Sequence, residues 1–257
     1  MISFENIRWA PGSFALAMAL LTLPAARTQA KAQQGQPVSD LLSQLRDRNP
    51  EARKAAISRL AQLGDRRAVE PLIELLSRDQ DPEVRRSAAY ALGQLKDARA
   101  VGPLLASLKD ENPEVCVNAI FALAQGKDGK RVDALIAALA HQNLHVCRAA
   151  AVGLVLLGDR RAVDPLIRSL NDQQLTVRSG AAFALGFFND RRAVPALLKT
   201  LQDERPVVRK VAIGSLGLLG DRRAVPALRR VAAEDPDSEV RARATEVFQK
   251  LTQAPTK

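Results

Sequence analysis

The stretch LGDRRAV at 63–69 decides the fold, because it returns unchanged at 157–163 and 219–225 and as NDRRAV at 189–194. Its aspartate recurs as Asp65, Asp97, Asp128, Asp159, Asp190 and Asp221, at spacings of 32, 31, 31, 31 and 31 residues. A second marker, a valine usually followed by arginine, falls at Val84, Val115, Val146, Val177, Val208 and Val240, with Ala52 in its place at the start. Seven copies therefore fill residues 38–251. A fixed period of this length is the mark of a stacked-repeat architecture.

Each copy divides into two short helices. The first carries apolar residues at helical spacing, as in Leu72, Ile73, Leu75 and Leu76, and Pro71, Pro103, Pro165, Pro195 and Pro226 mark its start. A polar turn such as Asp81-Pro82, Asn112-Pro113 or Asp235-Pro236 leads to the second helix. That helix is expected to stop at Gly64, Gly158, Asn189 or Gly220, residues that tolerate left-handed backbone, and the following Asp is a natural N-cap. Two such helices cannot bury their apolar faces alone, so the copies must stack into an all-α superhelix, an α-α solenoid with one continuous core. The end copies should then be atypical, and the last helix carries Arg243, Glu246 and Lys250 where central copies are mostly apolar or small.

Composition agrees with this class. The chain is 47% hydrophobic but only 4% aromatic, which suits helices packed through small side chains better than a sandwich or barrel. A formal charge of +10 predicts attraction to anionic partners and names none of them. The first 32 residues read differently. Arg8 precedes an apolar run over 14–23, and small residues follow, with cleavage sites of the A-x-A kind after Ala30 or Ala32. This is the layout of a signal peptide over 1–32, followed by a linker over 33–37, the repeats over 38–251 and a tail over 252–257. An uncleaved anchor is the alternative. The run is shorter than the ~20 apolar residues a membrane-spanning helix needs, so the processed chain is not expected to be transmembrane. A periplasmic or secreted location follows. Processing would remove Arg8, Arg27, Lys31 and Glu5, which leaves a charge of +8.

The pattern D-x-x-A-V-x-P-L-x-x-x-L, then D-x-x-P-x-V-R-x-x-A-x-x-A-L-G, resembles the HEAT-like repeats named after phycobilisome lyases. The resemblance covers nearly all of the chain after the leader and implies architecture before activity. Proteins with similar repeats include bilin lyase subunits, deoxyhypusine hydroxylase, HEAT-like DNA glycosylases and scaffolds. The hydroxylase builds a di-iron centre from paired His-Glu motifs, whereas this chain has only His141 and His145, neither followed by Glu. A bilin lyase works in the cytoplasm, at odds with the leader, and export would separate the chain from chromosomal DNA. No G-x-S-x-G, Walker A loop, H-E-x-x-H or Gly-rich dinucleotide turn is present. The expectation is a scaffold that is not an enzyme and uses no cofactor, with a lyase- or oxidoreductase-related member of the family as the reserve reading.

In this fold the second helices line the concave side. Counted from the marker valine, offsets 0, 4, 8 and 11 are apolar and must be core, as in Val84, Ala88, Leu92 and Leu95. Offsets 6 and 10 lie on the opposite face, and there the central copies present Tyr90, Phe121, Val152, Phe183, Leu156, Phe187 and Leu218. An apolar strip at such positions marks a partner-binding groove, unless curvature tucks the side chains between helices. Arg86, Arg148 and Lys210 at offset 2 would border it, so the expected partner is a protein or peptide with an apolar and acidic face. A second surface is the row of basic pairs Arg66-Arg67, Lys130-Arg131, Arg160-Arg161, Arg191-Arg192 and Arg222-Arg223. Stacked, they would form a ridge able to meet an anionic polymer or envelope surface, or each would simply pair with its capping Asp.

An Asp/Arg ladder accompanies the repeat: Asp47 with Arg53, Asp79 with Arg85, Asp172 with Arg178, Asp203 with Arg209, Asp235 with Arg241. These are structural links between copies and not catalytic carboxylates. The ladder breaks in the middle, where Asp110 stands with Cys116 and His141 with Cys147, and His145 lies nearby. Three readings follow: a Cys116–Cys147 disulfide, a soft-metal site from Cys116, His141, His145 and Cys147, or small apolar fillers where the ladder charges were lost. The last is the plainest.

Overall fold

The computed structural model describes residues 37–126 and 129–253. The expected leader, linker residues 33–36, the motif aspartate at 128 and tail residues 254–257 lie outside the described residues. The seven copies are seven helix pairs. In order they are α1 (Val38–Gln44) with α2 (Pro50–Leu63), α3 (Val69–Arg78) with α4 (Pro82–Leu95), and α5 (Val101–Ala106) with α6 (Pro113–Leu123). Then come α7 (Gly129–Ala138) with α8 (Leu144–Leu157), α9 (Val163–Ser169) with α10 (Leu175–Phe188), α11 (Val194–Thr200) with α12 (Pro206–Leu219), and α13 (Val225–Glu234) with α14 (Ser238–Gln253). No strand occurs among the described residues.

Local chemistry sets these boundaries. Asn49, Asp81, Asn112 and Asn143 each accept a hydrogen bond from the backbone N–H two residues on, which caps α2, α4, α6 and α8. Proline follows three of those caps, at a position whose N–H has no helical partner. The motif aspartates Asp65, Asp97, Asp159, Asp190 and Asp221 do the same for Arg67, Arg99, Arg161, Arg192 and Arg223, but what they cap is a 3-10 turn that leads into the next first helix. Four second helices end as expected, with Gly64, Gly158, Asn189 and Gly220 in left-handed backbone. Lys96 ends α4 the same way at φ 51, a conformation that disfavours its side chain.

Offsets 0, 4, 8 and 11 are buried from Val84, Ala88, Leu92 and Leu95 to Val208, Ala212, Leu216 and Leu219, except at Gly126, the half-buried offset 11 of the third copy. The second helices pack directly on one another while the first helices meet one another little, so the second helices form the tighter, inner layer of the curve. Their close approach depends on small residues. A Cβ added at Gly93 would stand 2.8 Å from Ala122 Cβ, and one at Gly186 would stand 2.8 Å from Ser215 Cβ.

The third and fourth copies depart from the pattern. α6 has 11 residues where α2, α4, α8, α10 and α12 have 14, and it ends at Ala124 in right-handed backbone. The buried side chains also divide there. Val115, Ala119, Ala122 and Leu123 of α6 join the apolar cluster of the first copies, while Cys116, Val117 and Ile120 of the same helix join that of the later ones. The single continuous core expected from the repeat is thus two clusters joined through α6 and Leu108, because one helix faces each cluster with a different side.

Candidate binding surfaces

The strip at offsets 6 and 10 is a mixture of exposed and half-buried side chains. Tyr90, Leu156 and Leu218 are exposed at 43%, 47% and 39%. Phe121, Val152, Phe183 and Phe187 are half-buried. Phe121 and Phe183 pack against the core, and the Phe183 and Phe187 rings lie 4.9 Å apart and tilted, one helical turn from each other. The strip is thus neither wholly core nor wholly exposed: Phe121 and Phe183 pack against the core while keeping part of their surface accessible.

The border is less positive than its sequence suggests. Arg86 pairs with Glu83 at 2.6 Å and Lys210 pairs with Glu239 of the next copy. Arg148 is half-buried, and the corresponding residue of the third copy, Val117, is buried.

At the turn edge, the ladder is resolved atom by atom, and it runs between copies. Arg85 donates from Nε and Nη2 to the two carboxylate oxygens of Asp110 at 2.9 and 3.0 Å. Arg178 grips Asp203 likewise at 2.7 and 3.1 Å, and Arg209 grips Asp235 at 2.8 and 2.7 Å. Arg53 donates to Asp79 at 2.8 Å. Within a copy, Arg Nη1 reaches only the backbone: Arg85 donates to Asp79 O at 2.9 Å and Arg209 to Asp203 O at 2.8 Å. The six-residue spacing seen in the sequence is therefore the carbonyl contact, and the carboxylate contact joins each arginine to the following copy. Burial alone would raise the carboxyls of Asp203 and Asp235, but their arginine and backbone N–H donors outweigh it and hold both below the usual range.

In the gap, the thiols take over the carbonyl contact. Cys116 Sγ lies 3.3 Å from Asp110 O and Cys147 Sγ lies 2.9 Å from His141 O, the carbonyls that an arginine would meet in other copies. His141 Nδ1 accepts from Asn143 N–H at 3.0 Å, as the ladder aspartates accept from the residue two positions on. Both cysteines are buried free thiols, so the disulfide is not formed in this structure; each sulfur is turned to its own copy's turn. No group of three or more His, Cys, Asp or Glu side chains suited to a metal occurs among the described residues, and His145 is exposed. Cys116, His141, His145 and Cys147 thus do not converge. Burial pushes both thiols up, and the nearby Asp110 charge adds to this at Cys116.

The basic ridge needs two corrections. In each regular motif the second arginine is clamped onto its cap: Arg67 on Asp65, Arg161 on Asp159, Arg192 on Asp190 and Arg223 on Asp221. Arg99 on Asp97 follows the same rule, and sequence reading missed it because Ala98 breaks the basic pair. Arg67 and Arg99 hold Asp65 and Asp97 down to about 2 through side-chain hydrogen bonds. Arg131 does not belong to the ridge. It stands three residues after its motif aspartate, where Ala68, Ala100, Ala162, Ala193 and Ala224 are buried, and its Nη1 donates inward to Leu123 O at 3.0 Å. Arg66, Lys130, Arg160, Arg191 and Arg222 are exposed, and so are the clamped Arg67, Arg161, Arg192 and Arg223.

The HEAT-repeat family model matches residues 38–112, 101–180 and 170–249. The chain belongs to the HEAT-repeat family. A search of curated proteins finds no match. Among solved structures, the complex of CpcE and CpcF of phycocyanin lyase from Nostoc sp. PCC7120 is 22% identical, covering 86% of this chain and 97% of that one, at a TM-score of 0.50. Human deoxyhypusine hydroxylase is 23% identical over 86% of each chain at a TM-score of 0.42. Escherichia coli YibA is 24% identical over 96% of this chain and 99% of that one at 0.49. At such identities the likeness is one of fold. A fold alone does not select an activity, so function rests on this chain's own residues. No described helix is long and apolar enough to cross a membrane.

Proposed function

We propose that this HEAT-repeat chain is an exported scaffold that acts by binding, and that its concave face takes an apolar segment of a protein partner. One observation carries the reading: Tyr90, Leu156 and Leu218 are exposed on the inner layer of helices, at offsets 6 and 10 of the repeat, with the half-buried rings of Phe121, Phe183 and Phe187 between them. Large apolar side chains in a row on a concave face are what a docking groove presents. Export rests on the layout of residues 1–32.

A photo-crosslinking residue placed at Leu156 or Leu218 should capture a defined partner, and one at Glu74 on a first helix should not. Equal capture at all three positions would remove the groove from consideration. Intact-mass measurement of native protein should find a chain beginning at Lys31 or Gln33 in the envelope or medium; a chain that keeps residues 1–30 in the cytoplasm refutes export.

The alternative partner, an anionic polymer or envelope surface, is favoured by the exposure of Arg160, Arg191 and Arg222 in three consecutive motif loops. Salt separates the two. Attraction to phosphates weakens steeply between low and physiological salt, whereas apolar docking changes little.

A further inference from the structure

In a ladder-braced solenoid, each copy is fixed to the next twice. Apolar packing of second helices joins the inner layer, and the arginine rung ties the turn edge, gripping the next carboxylate with two donors and its own turn with a third. Such a rung resists opening and shear together, because the guanidinium is planar and its donors are directed. Rungs tie the first copy to the second through Arg53 and Asp79, and the second to the third through Arg85 and Asp110. Others tie the fifth to the sixth through Arg178 and Asp203, and the sixth to the seventh through Arg209 and Asp235.

The two middle junctions have none. Cys116 stands at the position of the rung arginine, and the residue that such an arginine would grip is His141. Cys147 faces the fifth copy, whose Asp172 receives a hydrogen bond from Gln174 N–H. A thiol cannot grip a carboxylate with directed donors as an arginine does: each sulfur contacts its own carbonyl, and Cys147 adds a single thiol contact to Thr176 at the start of the fifth copy's second helix. The inner layer stays packed here: Gly153 lies against Ile120, and Gly180 against Ala151. Copies three to five are thus held along the inner layer and lack the two-donor arginine brace along the turn edge. The division of the apolar core within α6 falls at the same place.

We infer that the solenoid has a built-in hinge over the third to fifth copies, where it bends about the second-helix layer and opens along the turn edge while the two ends stay rigid. The missing rungs at Cys116 and Cys147 are the structural cause. The bend lies across the groove between Tyr90 and Phe183, so it would set the width offered to a partner. The hinge itself does not rest on the groove reading.

Lys109, Asn171 and Glu234 are exposed residues at equivalent positions, each immediately before a ladder aspartate. Spin labels introduced as non-natural amino acids at 109 and 171 span two junctions without rungs; labels at 171 and 234 span two junctions with them. Pulsed dipolar distances on the full chain should give a distribution about twofold broader for the first pair, as expected of a locally weaker region. Equal widths would overturn the inference. Rebuilding the rungs with Cys116→Arg, His141→Asp and Cys147→Arg should narrow the 109–171 distribution to that of 171–234, and a folded variant that stays broad would show that the rungs are not the cause. If the rebuilt chain does not fold, the comparison of the two pairs in the natural chain still decides whether the hinge exists.

Discussion

Arg209 and Asp235 have side chains only 8% and 5% exposed and form the most buried ion pair among the described residues. Removing one partner leaves the other buried and unpaired, so Arg209→Met should lower unfolding free energy by about 3 to 5 kcal/mol. Arg230→Met breaks an exposed pair with Glu234 and should change it by less than about 0.5 kcal/mol. Urea titration of both variants checks the contrast. Gly93→Ala sets two opposed effects against each other. Alanine favours a helix by about 1 kcal/mol, but its Cβ would stand 2.8 Å from Ala122 Cβ and 2.9 Å from Ala122 Cα, with backbone that cannot swing aside. Overpacking of about 1 to 3 kcal/mol should win, and Tm should fall. For the cysteines, a thiol reagent should react slowly with native protein and count two thiols in denaturant. A count of zero without reductant would mean that a bridge forms after all.

At the scale of the helix, the second helices have a core face and a groove face, and substitutions should divide along that line. Leu156→Glu, at 47% exposure, should leave stability within about 0.5 kcal/mol of the natural chain. Phe183→Glu should not: the ring packs against the core beside Phe187, and a carboxylate there should lower stability by about 1 to 3 kcal/mol. Chemical denaturation ranks the two, and equal small losses would mean that Phe183 faces solvent. The four offsets that are core were legible from the repeat, because the copies report the same face. The fate of offsets 6 and 10 was not, since curvature decides how far each ring sinks between adjacent helices.

For the whole molecule, acid is the sharpest probe. Asp65 and Asp97 sit at about 2 in the folded chain, and Asp190, Asp203, Asp221 and Asp235 are also lowered. A depressed folded-state pKa gives stability that is complete above the unfolded value of about 4 and is lost as pH falls through the folded value. Tm should therefore hold level from pH 7 to about 5 and drop steeply between about pH 4 and 2. Thermal melts across that range test it; a Tm that stays level down to about pH 2 would refute it.

The copy number, the two-helix unit, the caps and the core positions were all determined by the sequence by itself, because each is a local or periodic property repeated seven times along the chain. The partners of the ladder were not. Six residues separate Asp203 from Arg209, yet the carboxylate that Arg209 grips is Asp235 in the next copy, and only stacking brings that pair together. Arg131 makes the same point from the other side. Next to Lys130 it reads as a surface pair, but its register puts it at a buried alanine position, and it turns inward to Leu123 O. Neighbours in sequence are fixed by covalent geometry, whereas neighbours across a solenoid are chosen by the pitch and curvature of the stack, which no single repeat contains.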